Sequence, residues 1–567
     1  MQSYCDVVGV NIDWHAFHLK EQPMPNATPY KQATLEEHWD AIVIGSGIGG
    51  LATAVLLANR GQRVLVLERH YEAGGFTHTF RRPGYDWDVG LHYIGQMQQN
   101  SQIRRAFDHI TAGQVQWQPM PDVYDRLVIQ GQIFNLTAGL EHFREDLKQI
   151  FPSETVAIDK YIAAVQASNR ASNLYYAEKA VPGPIASLAG GLMRAPCLRW
   201  ARRTTLDVLQ SLTSNRELIG VLTGQWGDYG LPPAQSSFAI HATIAEHYFA
   251  GASYPIGGAA TIAASMIPQI ENAGGRIVTS AEVASILLDS NRARGVRMSD
   301  GHEFRSPLVF SDAGTTNTFD RLLPSDLPVL TPLRTQLRTL QPSTAHLSLY
   351  IGLSQSDAAL GLRGTNLWVH PGFDHDANLA RSVADLDAPF PFVYMSFPSA
   401  KDPDFQRRHP GHSTVEAITM VPYSAFANWA DTRWRRRPED YEALKQRLTA
   451  RLLAEVERQV PSVAGHIAHA ELSTPVTTRH FMNYGHGEIY GIAATPARYA
   501  VRGLGARTPI RGLYLTGQDV TSLGIVGALF GGVISASTAL GRNLMSTVSK
   551  PRFVKPVPVS PQLTTGN

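Results

Sequence analysis

The chain has 567 residues, of which 44% are hydrophobic and 17% charged, so its length and composition favour a folded protein with a large core over a disordered one. It carries 50 Lys and Arg against 48 Asp and Glu, a net charge of +2, which gives no support for a basic nucleic-acid-binding face. The two cysteines, Cys5 and Cys197, cannot build a disulfide framework, and no Cys/His spacing typical of a zinc site occurs, so we predict no metal.

The first residues predict a polar N-terminal arm over 1–38, and they lack the basic start and apolar run of a secretory signal peptide. We therefore expect a cytoplasmic or peripheral membrane protein. Two uncharged stretches, 41–59 and 520–541, are long enough to span a bilayer. Glycines interrupt the first, and the second is rich in Gly, Ser and Thr, so we interpret both as buried elements of a soluble core.

A strand, a Gly-rich turn, a helix and a second strand follow Asp40, as AIVIG, SGIGG, LATAVLLANRG and VLVLE. This βαβ order predicts a parallel sheet. The turn fits the G-x-G-x-x-G dinucleotide fingerprint, and Glu68 ends the second strand, where it would accept the ribose hydroxyls and repel a 2′-phosphate. The residues expected to contact the dinucleotide here are Gly45, Ser46, Gly47, Ile48, Gly49, Gly50 and Glu68.

Three further features favour FAD over NAD. Arg69 and the pair Gly74-Gly75 follow the ribose strand, and the glycines would let a second backbone segment approach the diphosphate. Far downstream, Gly517-x-Asp519 ends another strand, and an acid there suits a ribityl hydroxyl; alone, Asp519 would more simply be a helix or turn cap. The helix that opens at Ile525, Val526 and Gly527 would stabilise negative charge on a reduced flavin.

The rest of the chain predicts a second domain. Residues 120–250 mix helical periodicity with Trp, Tyr and His, whereas 344–353, 391–397 and 414–421 look like strands of an antiparallel sheet. A charged amphipathic helix over 439–459 and an apolar helix over 525–541 complete the predicted elements.

Several segments carry a resemblance to a known family: DAIVIGSGIGGL, VLVLERHYEAGG, GYDWDVGLHYIG, YPIGGAATIA and GLYLTGQDVTSLGIVGALFGG. Together they resemble the FAD-dependent phytoene desaturase, carotenoid isomerase and retinol saturase superfamily, over about residues 40–544. DVGLHYIG and QWGDYGLPPAQSSFAIHA look most like the retinol saturases. Two departures stand out: no N-terminal membrane-targeting segment is evident, and Phe76 and Thr77 follow the glycine pair where those proteins tend to carry cysteines.

The resemblance implies an α/β fold of the glutathione reductase and amine oxidase kind, in which an α+β substrate domain with an antiparallel sheet is inserted into a Rossmann-like FAD-binding domain. It places Gly90, His92 and Tyr93 beside the flavin and Val283 near the adenine. His92 and Tyr93 are the predicted catalytic residues, because they suit proton traffic, although a satisfied core histidine is an equal alternative for His92. His241, His247 and Tyr248 form a weaker second set, and Arg498 and Tyr499 lie in a family motif of unassigned role.

These expectations divide the chain into segments: an arm (1–38), three parts of the FAD-binding domain (39–110, 251–320 and 476–545), a substrate- or membrane-facing part (111–250), the substrate-domain sheet and helices (321–475) and a disordered tail (546–567).

The implied function is that of an FAD-dependent oxidoreductase acting on carbon–carbon double bonds of a long apolar polyene, as a saturase or desaturase. The alternatives are a redox-neutral cis–trans isomerase that uses reduced FAD, an amine oxidase-like enzyme and, last, a non-catalytic lipid escort. No second fingerprint accompanies a βαβ unit, so the electron partner is expected to be external, NAD(P)H or a quinone.

Residues 185–206 predict a membrane contact. An apolar stretch is followed by Arg194, Arg199, Arg202 and Arg203, which is typical of an interfacial basic helix. A helix packed on its own domain with a solvated basic face is the alternative.

Overall fold

The structure, a computed structural model, describes residues 27–181 and 183–550, without the side chains of 183–187. Cys5 and the tail from residue 551 lie outside the described residues. The last residues before that tail, predicted to be disordered, instead form a short helix, Met545–Val548, that packs near the helix Gln102–Ile110.

The first layer is a parallel sheet of six strands. Its central strands are apolar on both faces and fully buried, as expected for a sheet covered on both sides. In spatial order the strands are Thr28–Pro29, Arg276–Thr279, Val64–Leu67, Ala41–Ile44, Val309–Ser311 and Leu513–Leu515. The predicted βαβ unit and parallel sheet are confirmed. Thr28–Pro29, placed by the sequence in a separate arm, is an edge strand paired with Arg276–Thr279.

Three helices cover one side of this sheet: Ile48–Ala58, Ala260–Asn272 and Gly524–Leu540. Ile48–Ala58 lies against both of the others, and all of its residues are buried. The two uncharged stretches therefore lie in the core. Among residues 27–181 and 183–550, no helix combines the length and hydropathy needed to cross a bilayer.

The second layer is a seven-stranded sheet. Its order is Ile467–Ser473, Ala345–Leu353, Ser413–Val421, Val393–Ser396, Asn366–His370, Val123–Ile129 and Gln132–Thr137. The predicted antiparallel sheet is confirmed for all neighbours except one, since Asn366–His370 runs parallel to Val123–Ile129. The long chain segment between these two strands permits a parallel pairing. The segment 120–250, in which helical periodicity is mixed with Trp, Tyr and His, also supplies two strands of this sheet.

Smaller sheets join the layers. One is a hairpin of the strands Thr79–Arg82 and Tyr85–Asp88. A second, antiparallel sheet has the strand order Ile94–Gly95, Ala252–Pro255 and Trp117–Pro119. A third, also antiparallel, has the order Val283–Asp289, Arg292–Met298 and Glu303–Arg305. The other α-helices of four or more residues are Leu140–Ile150, Thr155–Glu178, Gly183–Ala201, Thr205–Gln210, Arg216–Leu222, Phe238–Tyr248, Thr331–Leu337, Asp357–Leu360, His375–Ala384, Pro398–Lys401, Phe405–Arg408, Glu439–Gln459, Pro475–Met482 and Pro496–Ala500.

Candidate functional site

A cleft of about 290 Å³, partly open to solvent, lies where the two large sheets meet. Small-molecule sites usually occupy about 300–1,000 Å³, so this volume is at the lower end of that range. One half is lined by the Gly-rich turn and its neighbours, and the other by side chains of the seven-stranded sheet.

The Gly-rich turn forms the floor of the first half. Gly45 has φ +96°, a conformation that favours glycine, and the helix Ile48–Ala58 opens directly after Gly47 without a side-chain cap. The N-cap residue supplies no side-chain cap. The Gly47 and Gly50 amides interact with the Asp312 carboxyl group, so the other amides at this helix start suit a phosphate. Gly74 lies alongside Gly47 in a parallel bridge, so the glycine pair passes next to the turn.

Glu68 is fixed at the end of its strand. One carboxylate oxygen accepts hydrogen bonds from the Ser46 amide (2.8 Å) and the Ser46 hydroxyl (2.7 Å), and the other accepts one from the His70 amide (2.7 Å). Ser46 also accepts a hydrogen bond from the Gly74 amide (3.1 Å). These bonds orient the carboxylate in the cleft wall, and the oxygen that accepts only the His70 amide keeps a lone pair for a ribose hydroxyl.

Asp312, which the sequence reasoning missed, lies against this turn. It follows the strand Val309–Ser311, and a Cβ atom built on Gly45 would lie 3.3 Å from its Cβ. Burial raises the pKa of Asp312 to about 8, although the Gly50 and Gly47 amides act in the opposite direction. A protonated Asp312 tolerates a nearby diphosphate, whereas an ionised one would repel it. An acid at the carboxyl end of a strand beside the fingerprint strand was the signal that could have identified it.

The C-terminal segment closes the same half of the cleft. One Asp519 oxygen accepts a hydrogen bond from the Thr315 amide (2.9 Å) and the other from the Ile492 amide (3.3 Å). The helix Gly524–Leu540 begins without a side-chain cap, and Gly524 and Ile525 line the cleft. Asp519 therefore holds two chain segments together at the cleft edge, as a cap would, while facing the site.

His92 lines the cleft, and its ring Nδ1 lies 2.7 Å from a carboxylate oxygen of Glu416, a fully buried residue. Lys401 donates a hydrogen bond to the His92 carbonyl (2.9 Å), and burial lowers the Lys401 pKa to about 7. Tyr93 is different: it is not among the lining residues. Its hydroxyl lies behind the wall, 2.9 Å from Asp125 and 2.8 Å from Asp228.

The predicted site residues thus separate into two groups. Those that line the cleft are Gly45, Gly47, Ile48, Gly49, Glu68, Arg69, Gly74, Gly75, Gly90, His92, Val283, Asp519 and Ile525. Those that lie behind it are Ser46, Gly50, Tyr93, Gly517, Val526 and Gly527. The second group supports the first, since Gly50 packs on the Gly45 carbonyl and Gly517 packs on Asp312.

The second half of the cleft is mainly apolar and aromatic. Its wall consists of Trp368, Phe392, Tyr394, Ile418 and Met420 from the seven-stranded sheet and the loop before one of its strands. These strands are buried at almost every residue, so no alternation in the sequence indicated which side chains would face the dinucleotide half. Such a wall suits a flat, apolar molecule.

The weaker set of candidates lies outside the cleft. The two ring nitrogens of His241 lie 2.9 Å from the Tyr161 hydroxyl and 3.1 Å from the Tyr229 hydroxyl, and burial lowers the His241 pKa to about 3. His247 accepts a hydrogen bond from the Gly95 amide (2.8 Å), and Tyr248 stacks on Tyr93. These side chains stabilise the core beside the cleft.

Arg498 and Tyr499, which lie in the family motif of unassigned role, are also buried. Arg498 donates a hydrogen bond to the Gln518 carbonyl (2.8 Å), next to Asp519, and Tyr499 packs on Tyr175. Arg498 therefore supports the loop that carries Asp519.

The site fits a dinucleotide in three respects: a helix N-terminus without a side-chain cap, glycines where a Cβ would enter occupied space, and a carboxylate held for a ribose. A protein-family model described as "NAD(P)-binding Rossmann-like domain" matches residues 43–110. The all-trans-retinol 13,14-reductases of Danio rerio and Homo sapiens are 38% and 36% identical to this chain, each over 90% of the chain and 87% of the relative.

More distant likenesses extend over most of the chain. Prolycopene isomerase 2 of an Oncidium hybrid cultivar is 26% identical, over 88% of this chain and 83% of that protein. Among solved structures, an oxidoreductase from Methanosarcina mazei has a TM-score of 0.59 at 17% identity and covers 87% of this chain and 98% of its own. A putrescine oxidase has a TM-score of 0.56 at 15% identity, over 89% of this chain and 99% of its own. The two structures establish the fold alone.

Proposed function

Since this chain belongs to the family of the all-trans-retinol 13,14-reductases, we propose that it is an FAD-dependent oxidoreductase that saturates a carbon–carbon double bond of a long apolar polyene. The observation that carries the proposal is a single cleft in which a dinucleotide half adjoins an apolar aromatic half. A retinoid or carotenoid-like lipid matches the second half, because its chain is flat and apolar. The second candidate function is redox-neutral cis–trans isomerisation with reduced FAD, and the likeness to a prolycopene isomerase favours it.

The dinucleotide half is proposed to hold FAD through the residues that line it. The amides after Gly47 would bind the diphosphate, Glu68 the ribose of the adenosine, and Asp519 the ribityl chain. Val283 lines the cleft at the end where the adenine would lie. Bound FAD would supply hydride transfer at its N5 atom, while the protein supplies position and electrostatics.

The FAD-binding domain is proposed to comprise residues 39–110, 251–320 and 476–545. Five of the six strands of the parallel sheet come from these ranges, which supports the division. The apolar residues of the other half exclude water from the polyene, and His92, oriented by Glu416, is the proposed polar side chain next to the reacting bond. The external electron partner, NAD(P)H or a quinone, stays a prediction from the missing second fingerprint.

A membrane contact is proposed for residues 185–206. Leu188 and Leu192 are 88% and 80% exposed on the helix Gly183–Ala201, and Arg199 and Arg202 are exposed on the same helix or just after it. Apolar side chains beside arginines suit the surface of an anionic bilayer. Arg194 does not belong to this surface, because it is buried and donates a hydrogen bond to the Tyr499 carbonyl (2.9 Å).

The test is an anaerobic spectroscopic titration of the purified protein reconstituted with FAD. One sample keeps its flavin oxidised, and in a second the flavin is reduced with dithionite and the excess dithionite is removed. All-trans-retinol, a carotene or putrescine is then added to each sample. Reoxidation of the flavin with loss of polyene conjugation supports the proposal. A changed isomer profile with the flavin still reduced assigns the isomerase instead.

The other outcomes overturn the proposal. Bleaching of oxidised flavin by a polyene assigns desaturation, and bleaching by putrescine assigns an amine oxidase-like activity. If the protein takes up no FAD although its circular dichroism shows a folded chain, the remaining alternative is a non-catalytic lipid escort. Glu68→Ala serves as the control, since it removes a proposed FAD contact without touching the apolar half.

A further inference from the structure

Asp228 is an acid in the wall of the apolar half. It lies in the short 3-10 helix Trp226–Tyr229, and its side chain lines the cleft together with Trp368 and Tyr394. One of its oxygens lies 2.8 Å from the Tyr93 hydroxyl. Its other oxygen has no hydrogen bond within residues 27–181 and 183–550 and is free to meet a molecule in the cleft.

Asp228 belongs to a chain of three groups. The Tyr93 hydroxyl connects it to Asp125, whose carboxyl oxygen lies 2.9 Å away on the side remote from the cleft. Asp125 also accepts hydrogen bonds from Gln225 (2.7 Å), Trp368 (3.0 Å) and Asn366 (2.7 Å). Burial raises the pKa of Asp125, but four hydrogen-bond donors oppose that rise, whereas only the Tyr93 hydroxyl opposes it at Asp228. Asp125 is therefore the ionised member of the pair.

The position of the protons follows from this arrangement. Tyr93 has one hydroxyl proton, and the ionised Asp125 is its stronger acceptor, so Tyr93 donates to Asp125. The Tyr93 oxygen then accepts, and Asp228 must donate, which requires Asp228 to be protonated. Burial, together with the charge of Asp125, raises the pKa of Asp228 well above its ordinary value, in agreement with the geometry.

We propose that Asp228 is the proton donor to the polyene, and that Tyr93 and Asp125 are positioning residues that keep it protonated. The inference rests on the proposed function. When the double bond is reduced, its π pair breaks, one carbon receives the hydride that reduced flavin supplies, and the neighbouring carbon receives the Asp228 proton. Two C–H bonds form, the Asp228 O–H bond breaks, and the flavin ends oxidised. Water reprotonates Asp228 after the product leaves.

The first test does not depend on activity. An infrared difference spectrum of the protein at neutral pH, with and without FAD, compares the wild type with Asp228→Asn. We expect the wild type to show the carbonyl band of a protonated carboxylic acid, shifted in D₂O and missing in the variant. If no such band separates the two proteins, Asp228 is ionised and the proposal is overturned, whatever the enzyme does.

The matched control is Asp357→Asn. Asp357 is also buried and accepts a hydrogen bond from the Ser399 hydroxyl (2.7 Å), but it does not line the cleft. This variant should keep the Asp228 band and the activity.

The second test follows a single turnover of all-trans-retinol by the reduced holoenzyme. Asp228→Asn should slow reoxidation of the flavin on the order of 10²-fold or more, with FAD content and retinol affinity unchanged. In D₂O, the wild-type product should gain deuterium at both carbons, because the Asp228 proton and the N5 hydrogen of reduced flavin both exchange with solvent. If His92→Gln slows the reaction as much while Asp228→Asn does not, His92 is the donor and the proposal is wrong.

The failures are distinguishable. A wild type that binds FAD and reduces no polyene contradicts the proposed function. A wild type that saturates retinol as fast as Asp228→Asn contradicts only the role of Asp228. Tyr93→Phe should weaken the Asp228 band without removing the side chain, which a purely structural role for Asp228 would not produce.

Discussion

Replacing Gly532 with Ala should push apart two of the helices that cover the parallel sheet, Gly524–Leu540 and Ile48–Ala58. Gly532 lies in the helix Gly524–Leu540, and a Cβ atom built on it would lie 2.6 Å from the Gly49 carbonyl oxygen and 2.8 Å from the Ala52 Cβ. Ordinary contact begins at 3.4 Å, so the helices must separate by about 0.8 Å at this point. Two of the three nearest atoms belong to the backbone of the neighbouring helix, which cannot move aside by a side-chain rotation.

The magnitude follows from two opposing terms. Overpacking of a tight core costs about 1–3 kcal/mol, whereas alanine in place of glycine within a helix gains about 0.5–1 kcal/mol. Because the obstructing atoms include backbone, we expect the upper part of the first range and a net loss of about 1–2 kcal/mol. The shift also moves the Gly49 turn away from the Thr516 strand end, to which the Gly49 carbonyl is bonded (3.1 Å), so FAD should bind more weakly.

The assay is urea unfolding of the apoprotein, followed by circular dichroism, together with the FAD content of the protein after gel filtration. Gly191→Ala is the matched control: Gly191 also lies within a helix, Gly183–Ala201, but a Cβ there meets nothing within 4 Å. The control should unfold at the same or a higher urea concentration and keep its FAD. If Gly532→Ala behaves like Gly191→Ala, the reasoning from helix packing is refuted.

Three other predictions concern binding, pH and membranes. Glu68→Gln removes the charge proposed to accept the ribose hydroxyls, so FAD affinity in titrations of the apoprotein should fall about 10- to 100-fold; unchanged affinity would contradict the assignment. Burial lowers the pKa of His241 from 6.5 to about 3, so between pH 6.5 and about 3 mainly the unfolded chain binds a proton there. On acidification this group should lower the free energy of unfolding by up to about 1.4 kcal/mol per pH unit. Urea unfolding at pH 7.5 and 5 should therefore show a smaller loss of stability for His241→Asn than for the wild type. Leu188→Ser with Leu192→Ser should reduce co-sedimentation with anionic vesicles, unlike Ile133→Ser, which changes an exposed residue of another surface; equal binding by both would remove the proposed membrane contact.

The sequence was most informative where chemistry imposes a local pattern. The turn Gly45–Gly50 and Glu68 belong to one βαβ unit, so their relation is visible within about 25 residues. Asp228, Asp312 and Trp368 reach the same cleft from distant segments, so their proximity to one another cannot be seen in any one stretch of the sequence. Tyr93 illustrates the limit within a motif, because it lies next to His92 but faces Asp125 behind the cleft wall.

The parallel sheet also has a consequence for synthesis. Its strand Val64–Leu67 leaves the ribosome about 450 residues before Leu513–Leu515, which at 5–20 residues per second is a delay of roughly 20–90 s. Until the helix Gly524–Leu540 arrives, the fully buried helix Ile48–Ala58 lacks the helix with which it makes its most extensive contact. The nascent chain must be protected from aggregation throughout that interval, so we expect its yield in cells to depend on chaperones more strongly than its final stability does.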